Sequence, residues 1–165
     1  MSRVAALISV VCLLVGCSST GASLSANRRS PAQQPLPSPT FHAVTAIIQT
    51  KGGPVLIYVQ VAETPRERAY GLMHRTSLPQ DSGMVFIFFK PTSAGFWMKD
   101  TLIPLSIAFF DAQGRILRIL DMEPCRKTPC TIYRPGVAYS GALEVNQGAF
   151  DRWGVAPGDV VHVNQ

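Results

Sequence analysis

The chain lacks most of the signatures by which a reaction is recognised. It contains no Gly-x-Ser-x-Gly, no His-Glu-x-x-His and no phosphate-binding glycine loop. Their absence removes the serine-hydrolase elbow, the zinc-protease helix and the nucleotide cradle. Cysteine is scarce, with four in 165 residues and none spaced Cys-x-x-Cys, which excludes a thioredoxin-like redox centre. Charged residues are only 15% of the chain. No apolar run reaches the roughly 18 residues that a spanning helix needs. Internal repeats are absent, which excludes a solenoid or propeller.

What is present begins with a leader. Arg3 precedes an apolar run from Val4 to Val15, closed by Leu14-Val15-Gly16-Cys17. A charged start, a short apolar segment and small residues at a processing site make a secretory signal. A cysteine directly after Leu-Val-Gly resembles the bacterial lipoprotein signal, in which that thiol is acylated and becomes the first mature residue. The expectation is a lipoprotein signal peptide over residues 1–16 and lipidation at Cys17. The protein would then lie on the periplasmic side of the cell envelope, with the membrane as its first partner through an N-terminal lipid anchor. Ser18 follows, the residue that in Gram-negative lipoproteins permits transfer to the outer rather than the inner membrane. Residues 17–40 are rich in Ser, Pro, Gln and Ala. They bury too little to fold and predict a disordered Pro/Ser-rich tether.

Residues 41–165 are expected to form a single β-rich domain. This part carries twelve Lys and Arg against ten Asp and Glu, so most of the +5 net charge belongs to leader and tether. Such a balance leaves no footprint for nucleic acid. Val55–Val61 alternates β-branched and aromatic residues after a Gly52-Gly53-Pro54 turn, predicting a hairpin with Phe41–Thr50. Thr64-Pro65-Arg66-Glu67 has the form of a capping box, opening a helix expected to run to about Arg75. Gly83–Phe89, Ser106–Phe110, Arg115–Leu120, Ala142–Asn146 and Val160–Val163 read as strands, with a second short helix through Phe150 and Trp153. The predicted class is α+β, mainly antiparallel β and barrel-like, with two short helices. Outside the cytoplasm, Cys125 and Cys130 are expected to pair as a disulfide.

Three groups of residues can carry chemistry. The densest is Phe96-Trp97-Met98-Lys99-Asp100-Thr101, where a cation and a carboxylate follow an aromatic inside an apolar region. Charged groups in such a setting reach the surface or line a polar pocket. In an extended segment Trp97 and Lys99 share a face, and Asp100 points the other way. The second is Asp121-Met122-Glu123, whose two acids share a face if the strand continues. The third is Glu144, which alternates against Leu143 and Val145 and faces solvent or a cavity. Trp97, Lys99, Asp100, Glu123 and Glu144 are therefore the candidate ligand-binding residues. Asp121, Glu123 and Glu144 could instead supply paired carboxylates for glycan or cell-wall hydrolysis. Met73, His74, Met84, Met98 and Met122 could gather around a soft metal such as Cu(I), with Cys125 and Cys130 as ligands only if unpaired. At these methionines, core packing is the competing role.

Several of these segments fall together in one pattern. Tyr70-Gly71-Leu72-Met73-His74-Arg75, Phe96-Trp97-Met98-Lys99 through Pro104-Leu105, Asp121–Cys125 with Cys130, Ala142–Asn146 and Gly158-Asp159 resemble the prokaryotic domain-of-unknown-function family numbered 192. The resemblance covers about Val55 to Val163 and implies a compact β-rich α+β fold. It implies no established activity, substrate or cofactor. Asp100 stands where that family usually has Asn, and Ser106 where it often has Asp. Taken together, the expectation is a tethered, non-catalytic binding domain that meets an envelope glycan, peptide or protein, with no cofactor, metal or nucleic acid.

Overall fold

In the computed structural model, residues 37–164 are described. The expected signal peptide, the expected lipidation at Cys17 and the expected tether up to residue 36 lie outside them. Among the described residues no helix is long and apolar enough to cross a membrane.

The alternating run after Gly52-Gly53 folds as expected: β1 (Ala43–Thr50) and β2 (Gly53–Ala62) form an antiparallel hairpin, Ile48 opposite Val55. Ile57, Val59 and Val61 turn inward, while Leu56 and Tyr58 remain exposed on the other face. The capping box forms as well. The Glu67 amide donates to Thr64 Oγ1 at 3.2 Å, and Glu67 Oε2 accepts from the Thr64 and Glu63 amides at 2.9 Å each. Those amides hold the Glu67 carboxyl below its usual range. The helix they start, α1 (Pro65–Tyr70), is shorter than expected. It stops because Gly71 takes φ +51°, and a Cβ there would sit 3.4 Å from the Phe86 ring. The chain thus leaves the helix at a positive-φ glycine that packs in ordinary van der Waals contact with the Phe86 ring.

The remaining strands are β3 (Ser82–Thr92), β4 (Phe96–Trp97), β5 (Leu105–Phe110), β6 (Ile116–Met122), β7 (Ile132–Tyr133), β8 (Tyr139–Asn146) and β9 (Val160–Val163), with α2 (Ala149–Arg152) between the last two. Seven strands form one mixed sheet in the order β6-β5-β8-β3-β2-β1-β9, and β4 pairs with β7 separately. All adjacent pairs in the large sheet are antiparallel except β2 with β3, which run parallel. A parallel pair needs a crossover, and α1 lies in that crossover. The mainly antiparallel α+β class with two short helices is what the structure shows. A closed barrel is not found among the described residues. The two sheet edges meet at one bridge, Arg115 opposite Val160, where the Ile116 amide donates to the Asp159 carbonyl at 2.8 Å.

Two cores lie on opposite faces of the sheet. The inner one collects Ala46, Ile48, Ile57, Val85, Leu143, Val145 and Phe150. The outer one collects Met84, Phe86, Leu105, Ile107, Phe109 and Ala142 beneath Leu72, Met98 and Tyr139. Successive residues of β3, β5 and β8 alternate between the two, as strand geometry requires. The short β4–β7 pair and the loops around it roof the outer core. In that roof Cys125 and Cys130 form the expected disulfide.

Candidate functional site

Glu144 is where the pattern of the outer core is broken. On β8, Leu143 and Val145 point to the inner core, so Glu144 points outward between Met84 of β3 and Ile107 of β5, its register partners. Both neighbours are fully buried, and Glu144 itself is only 5% exposed. No hydrogen bond or ion pair to its carboxyl is found among the described residues, and none of their fully buried side-chain oxygens lacks a partner, so the carboxyl oxygens keep a small accessible surface toward the space beside them. Burial pushes its pKa up from 4.5 to about 8, because an apolar surround penalises the charged form. At neutral pH this side chain is mostly a neutral acid.

The carboxyl opens into a hollow of about 30 Å³. One water-sized group needs roughly 10–15 Å³ on such a measure, so the space admits a single small functional group. Two stretches far apart in sequence, near residues 70 and 96–101, wall it. Tyr70 and Gly71 come from the end of α1, Phe96 and Trp97 from β4, and Thr101 from the turn beyond. Phe86 lies behind them on β3, its ring 5.0 Å from that of Phe96 at 87°. The described residues have three buried polar or charged side chains, Thr101, Ser106 and Glu144, and two of the three line this hollow. Trp97 is half-exposed at its rim. Arg68 also lines it, yet its guanidinium lies 4.9 Å from the centre of the Phe88 ring and donates to the Ile87 carbonyl at 3.1 Å.

The five candidate residues are divided among neighbouring cavities. Trp97 and Glu144 share the small hollow. Lys99 and Asp100 line a larger cleft of about 540 Å³ with Cys125, Arg126, Lys127, Thr128 and Cys130. Glu123 lines a third, of about 320 Å³, which also includes Cys125, Arg126 and Lys127. β4 ends at Trp97, and the chain turns at Asp100, whose φ is +54° and whose carbonyl accepts from the His74 amide at 2.8 Å. Lys99 nevertheless returns to Trp97, its Nζ 5.9 Å from the ring centre. Asp100 and Lys99 are exposed, as is Glu123, which accepts from Gln147 Nε2 at 2.9 Å.

The three carboxylates weighed for acid–base work do not face one another across a cleft. β6 ends at Met122, before Glu123. Asp121 lines a different cavity of about 590 Å³ beside α2, where it accepts from the buried Ser106 hydroxyl opposite it on β5. Ser106 Oγ in turn accepts from the Gly148 amide at 2.9 Å. Met84, Met98 and Met122 are buried in the outer core, where thioethers fill space. With Cys125 and Cys130 joined, neither offers a thiolate, and no group of three or more His, Cys, Asp or Glu among the described residues could hold a metal.

Sequence reading missed Tyr70, Phe86, Phe96 and Thr101 as residues that line the hollow with Glu144. Each stood in a recognisable segment, but nothing local shows that a helix end, a two-residue strand and a turn converge over one position of β8.

Comparison with known proteins adds a family and two folds. Residues 46–163 match the family DUF192, described as an uncharacterized ACR. A crystal structure of a putative transcription regulator from Sinorhizobium meliloti 1021 is similar at 29% identity and a TM-score of 0.71, over 77% of this chain and 98% of that one. A protein of unknown function from Novosphingobium aromaticivorans DSM 12444 is 31% identical with a TM-score of 0.68, over 86% of this chain and 99% of that one. No curated protein matches.

Proposed function

This chain belongs to the uncharacterised DUF192 family, and from that premise we propose that it is an envelope-anchored lipoprotein whose folded domain is a non-catalytic binding module. The module seats one small polar group of its ligand in the hollow beneath Trp97 and spreads the rest of the ligand over the Trp97 face and the Lys99–Asp100 cleft. One observation carries this reading: a nearly buried carboxyl, 5% exposed and with no protein partner among the described residues, opens into a space the size of one functional group. A ligand group that hydrogen-bonds it there replaces the little water that reaches it. An aromatic face beside a few fixed polar groups is also how small-ligand sites are built. The ligand belongs to the envelope, as a glycan, a peptide or another protein.

The anchoring half rests on Leu14-Val15-Gly16-Cys17 and the Pro-rich tether after it. Mass spectrometry of membrane-extracted protein should find an acylated Cys17 at the mature N-terminus. Recovery of Met1 on cytosolic protein would overturn that half alone. The binding half is read by tryptophan emission. The chain has two tryptophans, Trp97 and Trp153, so a Trp153→Phe background reports Trp97 only. Soluble cell-wall fragments, both saccharides and peptides, should shift that emission saturably. A flat response to all of them, with Trp97→Ala leaving capture by envelope extracts unchanged, would sink the module.

A further inference from the structure

We infer that the hollow beneath Trp97 is a receptor for a primary ammonium group, with the Glu144 carboxylate as its counter-ion. This rests on the binding-module reading and specifies its ligand. The walls decide the sign of charge. Tyr70, Phe86, Phe96 and Trp97 surround the space, and the negative faces of aromatic rings attract cations. The Tyr70 hydroxyl is engaged with Ser38 Oγ at 2.7 Å, so the ring and not the hydroxyl is what the hollow has to offer. Of the ionisable side chains in the lining, Arg68, Tyr70 and Glu144, only Glu144 has no partner among the described residues. A neutral hydroxyl entering here would gain one hydrogen bond from a neutral acid. An ammonium gains a buried ion pair and donates its hydrogen bonds to an acceptor-only carboxylate, at a site that no cation of the described residues occupies. Arg68, the charged side chain nearest in the lining, is turned onto Phe88 and the Ile87 carbonyl. Lys99 Nζ is held on Trp97, outside the lining of the hollow.

Size decides the kind of cation. About 30 Å³ holds an ammonium, whereas a guanidinium or a trimethylammonium, each of four heavy atoms, does not enter without opening the walls. Binding has a proton balance. Glu144 holds a proton up to about pH 8 when the hollow is empty, and it must lose that proton to pair with an ammonium. The other titratable groups in the lining are Arg68, stacked on Phe88, and Tyr70, bonded to Ser38. Near neutral pH, binding therefore releases close to one proton to the buffer.

The test uses the full chain with Trp153→Phe and simple probes. n-Butylammonium should change Trp97 emission saturably in the millimolar range, and n-butanol, its neutral counterpart, should bind at least roughly tenfold more weakly. Calorimetry in buffers of different ionisation heat should count the released proton. Glu144→Gln should remove both the ammonium preference and the proton release. Two sources of the group are then separated by comparing Nα-acetyl-lysine methylamide with glucosamine, each against an uncharged analogue. Equal binding of n-butanol and n-butylammonium would overturn the ammonium assignment and leave the binding module standing. Absence of any response from charged and neutral probes alike would remove both.

Discussion

Glu144 is the residue whose protonation the fold controls most strongly, and its effect on stability has a definite sign. In the unfolded chain it loses its proton near 4.5, in the folded protein near 8. Below the lower value both states are protonated and stability is indifferent to this group. Between the two, the folded state holds a proton that the unfolded state has lost, so stability falls as pH rises. Above the upper value both are ionised and the loss levels off. The slope inside the window approaches about 1.4 kcal/mol per pH unit. Urea denaturation from pH 4 to 9 should show this decline, and Glu144→Gln should flatten it. A wild-type stability that rises through the same window would contradict the burial described for this carboxyl. The alternation of β8 placed Glu144 opposite Leu143 and Val145 from the sequence alone, yet periodicity names a face and not what covers it. That is why solvent and cavity could not be separated until α1 and β4 were in place.

At the scale of elements, the wall of the hollow depends on where α1 stops. Thr64, Pro65 and Glu67 announce its start in the sequence, because capping chemistry is local. Its end was not legible, since Gly71 leaves the helix at positive φ beside the Phe86 ring, on a strand fifteen residues further on. Gly71→Ala meets both a backbone conformation that suits glycine and that ring. It should cost about 1–3 kcal/mol, the usual range for a strained backbone position. It should also weaken any ligand that uses the hollow, because Tyr70 moves with the helix end. Thermal denaturation and Trp97 emission read the two effects separately, and an unchanged melting temperature would show that the helix end is free to relax. The strands were largely legible for the opposite reason: β-branched and aromatic content in β2, a continuous apolar run in β3 and the alternation around Glu144 in β8 are all written locally. The parallel pairing of β2 with β3 was not, because nothing in either strand encodes which neighbour it takes across a crossover.

At the scale of the whole molecule, one sheet carries two cores, so inner and outer packing are lost together. The disulfide lies in the roof of the outer core, closing a loop of sequence separation 5. In the chain-entropy account a loop of this length contributes roughly 2 kcal/mol. Reduction, or a paired Cys125→Ser and Cys130→Ser change, should lower the urea midpoint by a corresponding amount while leaving a single transition. Two separated transitions would mean that the roof unfolds apart from the sheet. Its effect on ligand should be larger at the Lys99–Asp100 cleft, which the loop lines, than at the Glu144 hollow, which it does not.

The first strand of the sheet finds its second neighbour in the last. Ala46 lies opposite Val163, and Gln49 opposite Val160. A polypeptide still missing its tail therefore carries a bare β1 edge, with main-chain donors and acceptors that nothing local can satisfy. Closing that gap joins the most distant parts of the domain, the slowest kind of contact to form. The sheet is therefore complete only when the last strand has reached the first, and until then its edge stays open.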